Sequence, residues 1–288
     1  MNILGTGLSG LVGTRLVALL GDHMTFQNLS LENGIDITKK DDVDSYFQKS
    51  DALWVFHLAA YTDVQGAEKE RELQENSAAW KVNVLATENI VANCKKFNKR
   101  LVYIDTDYAF DGKNGPYDED AATNPLGWYA ITKTEGAKRV SSLGENGLII
   151  RISNPYRAHP VGKKDFVHKM LERLQQGLEI TAPDDQQFVP TFIDDLARAM
   201  DVLVRENASG IYHVVSSTAI SPYEAAISIA EVFGLSESLI HKTTFAQMFK
   251  DRAPAPQYAV LTQQKIQRLG FTPRSFLDGI KEVKSQES

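Results

Sequence analysis

The chain has 288 residues, 43% of them hydrophobic and 24% charged, which is enough to bury a full core in one large α/β unit, alone or with a smaller lobe. A net charge of −6 argues against a nucleic-acid backbone as the main partner, and no apolar run reaches the ~20 residues of a membrane span. The single cysteine, Cys94, rules out a disulfide framework or a multi-thiolate metal site and reads as a small buried hydrophobe. With no basic signal region ahead of the first strand, a cytoplasmic chain is expected.

The first predicted element is a short apolar strand, Asn2–Gly5. It runs into Gly7-Leu-Ser9-Gly10-Leu11-Val12-Gly13 and a helix over Leu11–Leu20. That order puts a helix N-terminus, with unpaired N–H groups and the positive end of its dipole, where a dinucleotide pyrophosphate sits. Gly7 and Gly10 lack the Cβ that would block the phosphates, and Gly13 lets the helix pack on the strand. Ser9 belongs to this phosphate loop, since its spacing makes no G-x-S-x-G elbow. The glycines are spaced G-x-x-G-x-x-G, so the pattern gains its meaning from its place between strand and helix.

Further strands are predicted at Met24–Asn28, Ala52–His57, Leu101–Asp105 and Gly147–Ile152, with helices at Asp41–Gln48, Asn76–Phe97 and Tyr129–Leu143. Continuous apolar runs such as Leu53–Phe56 and Leu148–Ile150 fit parallel strands covered on both faces. Alternation with helices makes right-handed βαβ units, hence a doubly wound, Rossmann-type parallel sheet. After about residue 153 the alternation breaks up around Pro155, Pro160, Pro183, Pro190, Pro222, Pro254, Pro256 and Pro273, which predicts a smaller C-terminal lobe. A helix over Ile193–Val204, with Asp194 and Asp195 in its first turn, returns to the large domain. The expected division is residues 1–152 plus about 191–206 for dinucleotide binding, and about 153–190 with 207–288 for substrate binding.

Tyr129-Ala-Ile-Thr-Lys133 places a phenol and an ammonium on one helix face. A nearby ammonium favours phenolate and pulls the tyrosine pKa from ~10 toward working pH, and such a tyrosine exchanges a proton with an oxygen bound to carbon. Taken alone the pair is an ordinary surface Tyr/Lys couple. Here it follows a strand that ends in Asp105-Thr106-Asp107, and the C-terminal ends of parallel strands hold ligands in this architecture. Thr106 can bond the same oxygen. The six histidines are scattered without ligand spacing, so no metal site is expected.

At the end of the second strand, Phe26-Gln-Asn28-Leu-Ser30 offers neither an acid for the ribose 2′-OH of NAD nor an arginine for the 2′-phosphate of NADP. Asn28 and Ser30 can bond either form, and the missing acid leans the choice to NADP. Asp36, just before a helix, suits a cap or turn carboxylate.

Together, Gly7–Gly13, Thr106 and Tyr129/Lys133 resemble an extended short-chain dehydrogenase/reductase, most of all the dTDP-4-dehydrorhamnose reductase branch. His57-Leu58-Ala59-Ala60-Tyr61-Thr62, Lys81-Val-Asn83-Val-Leu-Ala-Thr87, Thr106-Asp107-Tyr108-Ala-Phe-Asp-Gly112, Asp185-Gln186, Pro190–Leu196 and Gly210–His213 extend the likeness over nearly the whole chain. The resemblance implies NAD(P)H-dependent reduction of a 4-keto nucleotide-sugar. Tyr129 would be the general acid, Lys133 would lower its pKa and hold the nicotinamide ribose, and Thr106 would bond the reacting oxygen. It implies cofactor contacts from Leu11, Val12, Ile37, Leu58, Ala59, Ala60, Tyr61 and Asn83, and from Asp36 at the adenine. Substrate contacts are expected from Asp107, Tyr108, Trp128 and Asn154, and a homodimer is the assembly left open.

The chain departs from the branch at Asp105, where a Ser is usual, and at Asn154, where a Trp is usual. Phe188 replaces a Gly, and Ala255 replaces an Arg. Trp128 is either a substitute platform for the sugar or helix-start packing. Asn154 keeps open a sugar-nucleotide 4-epimerase on the same scaffold. The departures together keep open a non-catalytic dinucleotide-binding regulatory subunit. A 4,6-dehydratase reaction, which removes a C5 proton and water, is disfavoured, because Asp107-Tyr108 stands where that family has Asp-Glu.

Overall fold

Six parallel strands form the central sheet of the computed structural model, which describes residues 1–288. The large unit begins β1 (Asn2–Thr6), α1 (Leu11–Leu20), β2 (Thr25–Leu29), α2 (Lys40–Lys49), β3 (Trp54–His57) and α3 (Val64–Lys69). It continues through α4 (Ala78–Trp80), α5 (Ala86–Lys96), β4 (Arg100–Thr106), α6 (Trp128–Ser141) and β5 (Gly147–Ile152). The chain then leaves for α7 (Phe166–Gln175), β6 (Ile180–Pro183) and β7 (Gln187–Phe188), and returns through α8 (Ile193–Arg205) and β8 (Gly210–His213). It leaves again for α9 (Pro222–Phe233), β9 (Ile240–Thr243), α10 (Phe245–Phe249), β10 (Tyr258–Ala259), α11 (Gln264–Arg268) and α12 (Phe276–Glu287). No helix is long and apolar enough to cross a membrane.

Successive strand residues point to opposite faces, and here both faces are apolar. Ile3, Phe56, Val102 and Ile150 pack under Leu16 of α1 and Leu196, Met200 and Leu203 of α8. Leu4, Val55, Leu101 and Ile149 pack under Val43 and Phe47 of α2, Ile90 and Cys94 of α5, and Val140 of α6. Cys94 is inert there, its thiol pushed up by burial. The strand order β2-β1-β3-β4-β5-β8 reverses between β1 and β3, so the connections leaving those strands diverge and open a crevice at their C-terminal ends. The lobe has its own core, in which Leu171 of α7, Ile229 of α9 and Phe276 and Ile280 of α12 close on β6 and β9.

Two stretches expected in the smaller lobe belong to the large unit. β8 is the sixth strand of the main sheet, paired with β5, and Ile266 of α11 joins the core beneath α8. β8 is only four residues long, starts at an exposed glycine and is half-buried at the sheet edge, so its apolar signal is faint. The single helix expected over Asn76–Phe97 is also interrupted. Lys81–Leu85 adopts a π turn between α4 and α5. Asn83, inside that turn, accepts from Tyr61 N at 2.8 Å and donates to Tyr61 O and to Thr132 Oγ1 of α6. These tertiary bonds set the wider turn.

Candidate active site

The crevice is a cleft of about 910 Å³ running from the β1–α1 turn to the start of α6. Gly7, Ser9, Gly10, Leu11, Val12, Gly13, Ser30, Asp36, Ile37, Leu58, Ala59 and Ala60 line its cofactor end as expected by position. Thr106, Asp107, Tyr108, Tyr129, Lys133 and Asn154 line the other. Asn28, Tyr61, Asn83 and Trp128 are not on its wall.

At Gly7 the backbone is left-handed (φ +68°), and a Cβ would fall 2.5 Å from Ala59 N, so only glycine lets the turn lie against the exit of β3. The N-cap Gly10 provides no side-chain bond, and the first turn of α1 holds no acid. The first N–H groups of α1 therefore face the cleft without a cap. Behind the opposite wall, Ala59 N–H donates to Thr6 Oγ1, whose hydroxyl meets His57 Nδ1 at 2.7 Å. His57 Nε2 meets Thr87 Oγ1, which donates to Asn83 O. Every donor and acceptor in that chain is used when His57 is neutral and protonated on Nε2, and burial, with Lys133 nearby, holds it neutral at about 3. His57 thereby braces the start of the Leu58–Tyr61 loop from behind.

Asp36 serves as a turn carboxylate and also reaches the cleft. Its Oδ1 accepts from Thr38 N and Thr38 Oγ1, which holds the acid below its ordinary range. Glu32, two residues beyond Ser30, also lines the cleft, as do Lys163 and Lys164 just before α7 and Lys169 on that helix. The reading of the β2 end stopped at Ser30 and missed the acid.

α6 has no capping side chain of its own at Gly127. Glu68 of α3 supplies one, accepting from Trp128 N at 2.6 Å, while Arg71 holds its other oxygen at 2.8 Å. Glu68→Ala should cost about 1 kcal/mol, as helix-cap removals do, and lower Tm by about 2–4 °C in thermal denaturation. Trp128 faces away from the cleft. Its indole stacks on Trp80 (centroids 5.8 Å apart) and donates to Ser77 Oγ at 2.9 Å, so it is helix-start packing and no platform for a sugar.

Lys133, one turn after Tyr129, is buried. Its ammonium donates to Ile104 O at 2.6 Å and lies 4.0 Å from the centre of the Tyr103 ring. Burial pushes Lys133 down to about 8, against the pull of Asp105. The Tyr129 phenol moves opposite to the sequence expectation. Burial raises it, a Thr106 hydrogen bond draws it back, and Asp105, Asp107 and Tyr108 push it further up. Tyr129 therefore keeps its proton near neutral pH.

Asp107 accepts from Ser153 Oγ at 2.7 Å and from Thr106 Oγ1 at 3.1 Å, and burial pushes it up to about 6 despite those bonds. A carboxyl raised above its unfolded value of 3.8 opposes folding once ionised, with the penalty growing from about pH 4 to pH 6 and complete above that. Asp107→Asn should raise stability at pH 7 by on the order of 1–3 kcal/mol and show no advantage at pH 4, as read by denaturant melts at both values. Asn154 holds a left-handed backbone (φ +39°) at the cleft wall. Phe188 and Ala255 are both buried, Phe188 in the lobe core against Phe166 at 5.6 Å.

Sheet order, Gly-rich turn and a Tyr-x-x-x-Lys helix beside the end of β4 together define an extended short-chain dehydrogenase/reductase. The family model for the RmlD substrate-binding domain matches residues 1–288, and the chain belongs to that family of sugar-nucleotide reductases. It is 31% identical over 272 residues to a dTDP-4-keto-6-deoxy-D-glucose reductase of Streptomyces niveus, covering 93% of this chain and 91% of that one. It is 29% identical over 297 residues to the dTDP-4-dehydrorhamnose reductase of Aggregatibacter actinomycetemcomitans, covering 98% of each. Among solved structures, the dTDP-4-dehydrorhamnose reductase of Bacillus anthracis in complex with NADP superposes with a TM-score of 0.89 at 26% identity, over 99% of both chains.

Proposed function

We propose that the protein reduces the 4-keto group of a nucleotide-linked sugar of the dTDP-4-dehydrorhamnose type, using NADPH or NADH. The observation that carries this reading is the meeting of Tyr129, Lys133 and Thr106 on one wall of a cleft whose other end is the uncapped start of α1. The cofactor end suits a dinucleotide. Uncapped N–H groups suit its pyrophosphate, and Ser30, on the cleft wall just past β2, has a buried Oγ without a hydrogen-bond partner. When bound, the reduced dinucleotide supplies a hydride to the keto carbon.

The remaining chemistry belongs to this chain. Tyr129, held neutral, gives its proton to the keto oxygen as negative charge develops there. Thr106 turns its hydroxyl from Asp107 to the same oxygen, and the Lys133 ammonium orients the nicotinamide ribose. Asp107, Tyr108 and Asn154 contact the sugar. The choice of dinucleotide leans to NADPH, by analogy with the Bacillus anthracis relative, although Glu32 on the wall favours a free 2′-OH over a phosphate.

The test is titration with NADPH and NADH, followed by turnover of dTDP-4-dehydrorhamnose with whichever binds. Cofactor oxidation coupled to dTDP-rhamnose is expected. Tight binding with no oxidation by any 4-keto nucleotide-sugar overturns the reductase reading.

A further inference from the structure

Asp105, Arg151 and His213 occupy facing positions on three adjacent strands. Asp105 pairs with Arg151 in the β4–β5 register, and Arg151 pairs with His213 in the β5–β8 register. Arg151 Nε donates to Asp105 Oδ2 at 3.1 Å, with both side chains almost wholly buried. On its other side, Arg151 Nη1 lies 3.4 Å from His213 Nε2. His213 Nδ1 donates to Thr262 O at 2.7 Å, which leaves Nε2 free to accept from Arg151. Burial and Arg151 hold that imidazole neutral, at about 3. The Arg151 guanidinium also lies 5.0 Å from the centre of the Phe110 ring. Asp105 is held through Oδ2 alone, and its Oδ1 is buried without a hydrogen-bond partner.

Lys133 presents the complementary deficit on the same wall of the cleft. It is a buried ammonium with three N–H groups, and it makes one hydrogen bond, to Ile104 O. Its Nζ lies over the Tyr103 ring and reaches the Ile104 carbonyl, and Asp105, two residues beyond Tyr103, shares that face of β4; Tyr129 is one turn back on its own helix, and the neutral His57 is on the adjacent strand β3. Asp107, two residues beyond Asp105, is bonded to Ser153 and Thr106. Of the nearby carboxylates, Asp105 is the one that acts on Lys133, and burial of an uncompensated ammonium would drive off its proton. A serine here, as in the pattern the chain otherwise resembles, supplies no charge.

We infer that Asp105 is a positioning residue for the Tyr129/Lys133 pair: fixed by Arg151 and His213, it keeps Lys133 an ammonium inside the cleft. This rests on the reading of that pair as the catalytic one. Arg151 moderates the effect, since it neutralises part of the Asp105 charge. The two partners thus act on Lys133 in opposite directions.

The test is a side-chain NMR titration of Lys133 in the full chain without ligand, the signal assigned by its loss in Lys133→Arg. Asp105→Asn is expected to lower the Lys133 midpoint by about 1–3 units. Arg151→Gln is expected to raise it, because Asp105 is no longer neutralised. A merely structural role would move both variants the same way or neither. An unchanged midpoint in Asp105→Asn, or a fall in both variants, overturns the inference. Should Asp105→Asn fail to fold around an unpaired Arg151, the double variant Asp105→Asn/Arg151→Gln removes that pair whole, and its comparison with Arg151→Gln carries the test, because those two differ only at position 105. A lower Lys133 midpoint in the double variant than in Arg151→Gln supports the inference, and equal midpoints overturn it. No substrate is needed, so the two readings separate. A responsive Lys133 in a protein that reduces no keto-sugar upholds the coupling and sinks the reductase; an active reductase with an unresponsive Lys133 does the reverse.

Discussion

Replacing Tyr129 with Phe is expected to lower turnover of a 4-keto nucleotide-sugar by about 10²–10⁴, with dinucleotide affinity nearly unchanged. The ring can stay where it is, edge-on to Tyr108 with centroids 6.0 Å apart, so the variant removes a proton donor and little else. Steady-state kcat and a separate fluorescence titration of the dinucleotide divide the two effects. Near-normal turnover would remove Tyr129 from the chemistry. The pH profile supplies an independent check. Lys133 is pushed down to about 8, so it is charged below that value and loses its charge as pH rises through it. Activity should therefore fall on the alkaline side around pH 8, well before a free lysine near 10.4 would titrate. A profile flat to pH 10 would mean that the Lys133 charge is not needed.

What could be read from the sequence was what neighbouring residues decide among themselves. The strand, turn and helix from Asn2 to Leu20 are specified by local pattern, and α1 and β5 span the predicted residues. The π turn at Lys81–Leu85 is not local, because it depends on Asn83 reaching Tyr61 and Thr132. Trp128 illustrates a different failure. An aromatic next to a catalytic tyrosine suggests a sugar platform, but adjacent residues on a helix point about 100° apart. Tyr129 faces the cleft, and Trp128 turns onto Trp80 and Ser77 instead. The direction of the Tyr129 shift was hidden for a third reason. Tyr129 and Lys133 are one turn apart in sequence, while Asp105 reaches them only once β4 is laid under α6. Tertiary placement of like charges and burial together outweigh the pair considered alone.

Gly13→Ala should impair both the fold and the site, and Gly10→Ala the site alone. A Cβ at Gly13 would fall on Gly7 O and on the Cα of Leu8, both backbone, so it can be accommodated only by moving α1 off the turn. Overpacking of this kind costs about 1–3 kcal/mol, and a shift on the order of 1 Å in a positioning element can cost about 10²-fold in function. Thermal melts should therefore drop, and NADPH and NADH binding should weaken by a comparable factor. At Gly10 the nearest atom to an added Cβ is Gly7 O at 3.3 Å, so the methyl can be housed with a small adjustment and the melt should hardly move. That methyl would nonetheless stand over the first turn of α1, in the space a pyrophosphate needs to reach its N–H groups. Gly10→Ala is thus the sharper probe, because loss of dinucleotide binding at unchanged stability can come only from the ligand's side. Wild-type affinity in a folded Gly10→Ala would mean that the phosphates do not sit on the α1 N-terminus, however well the glycine spacing suits them.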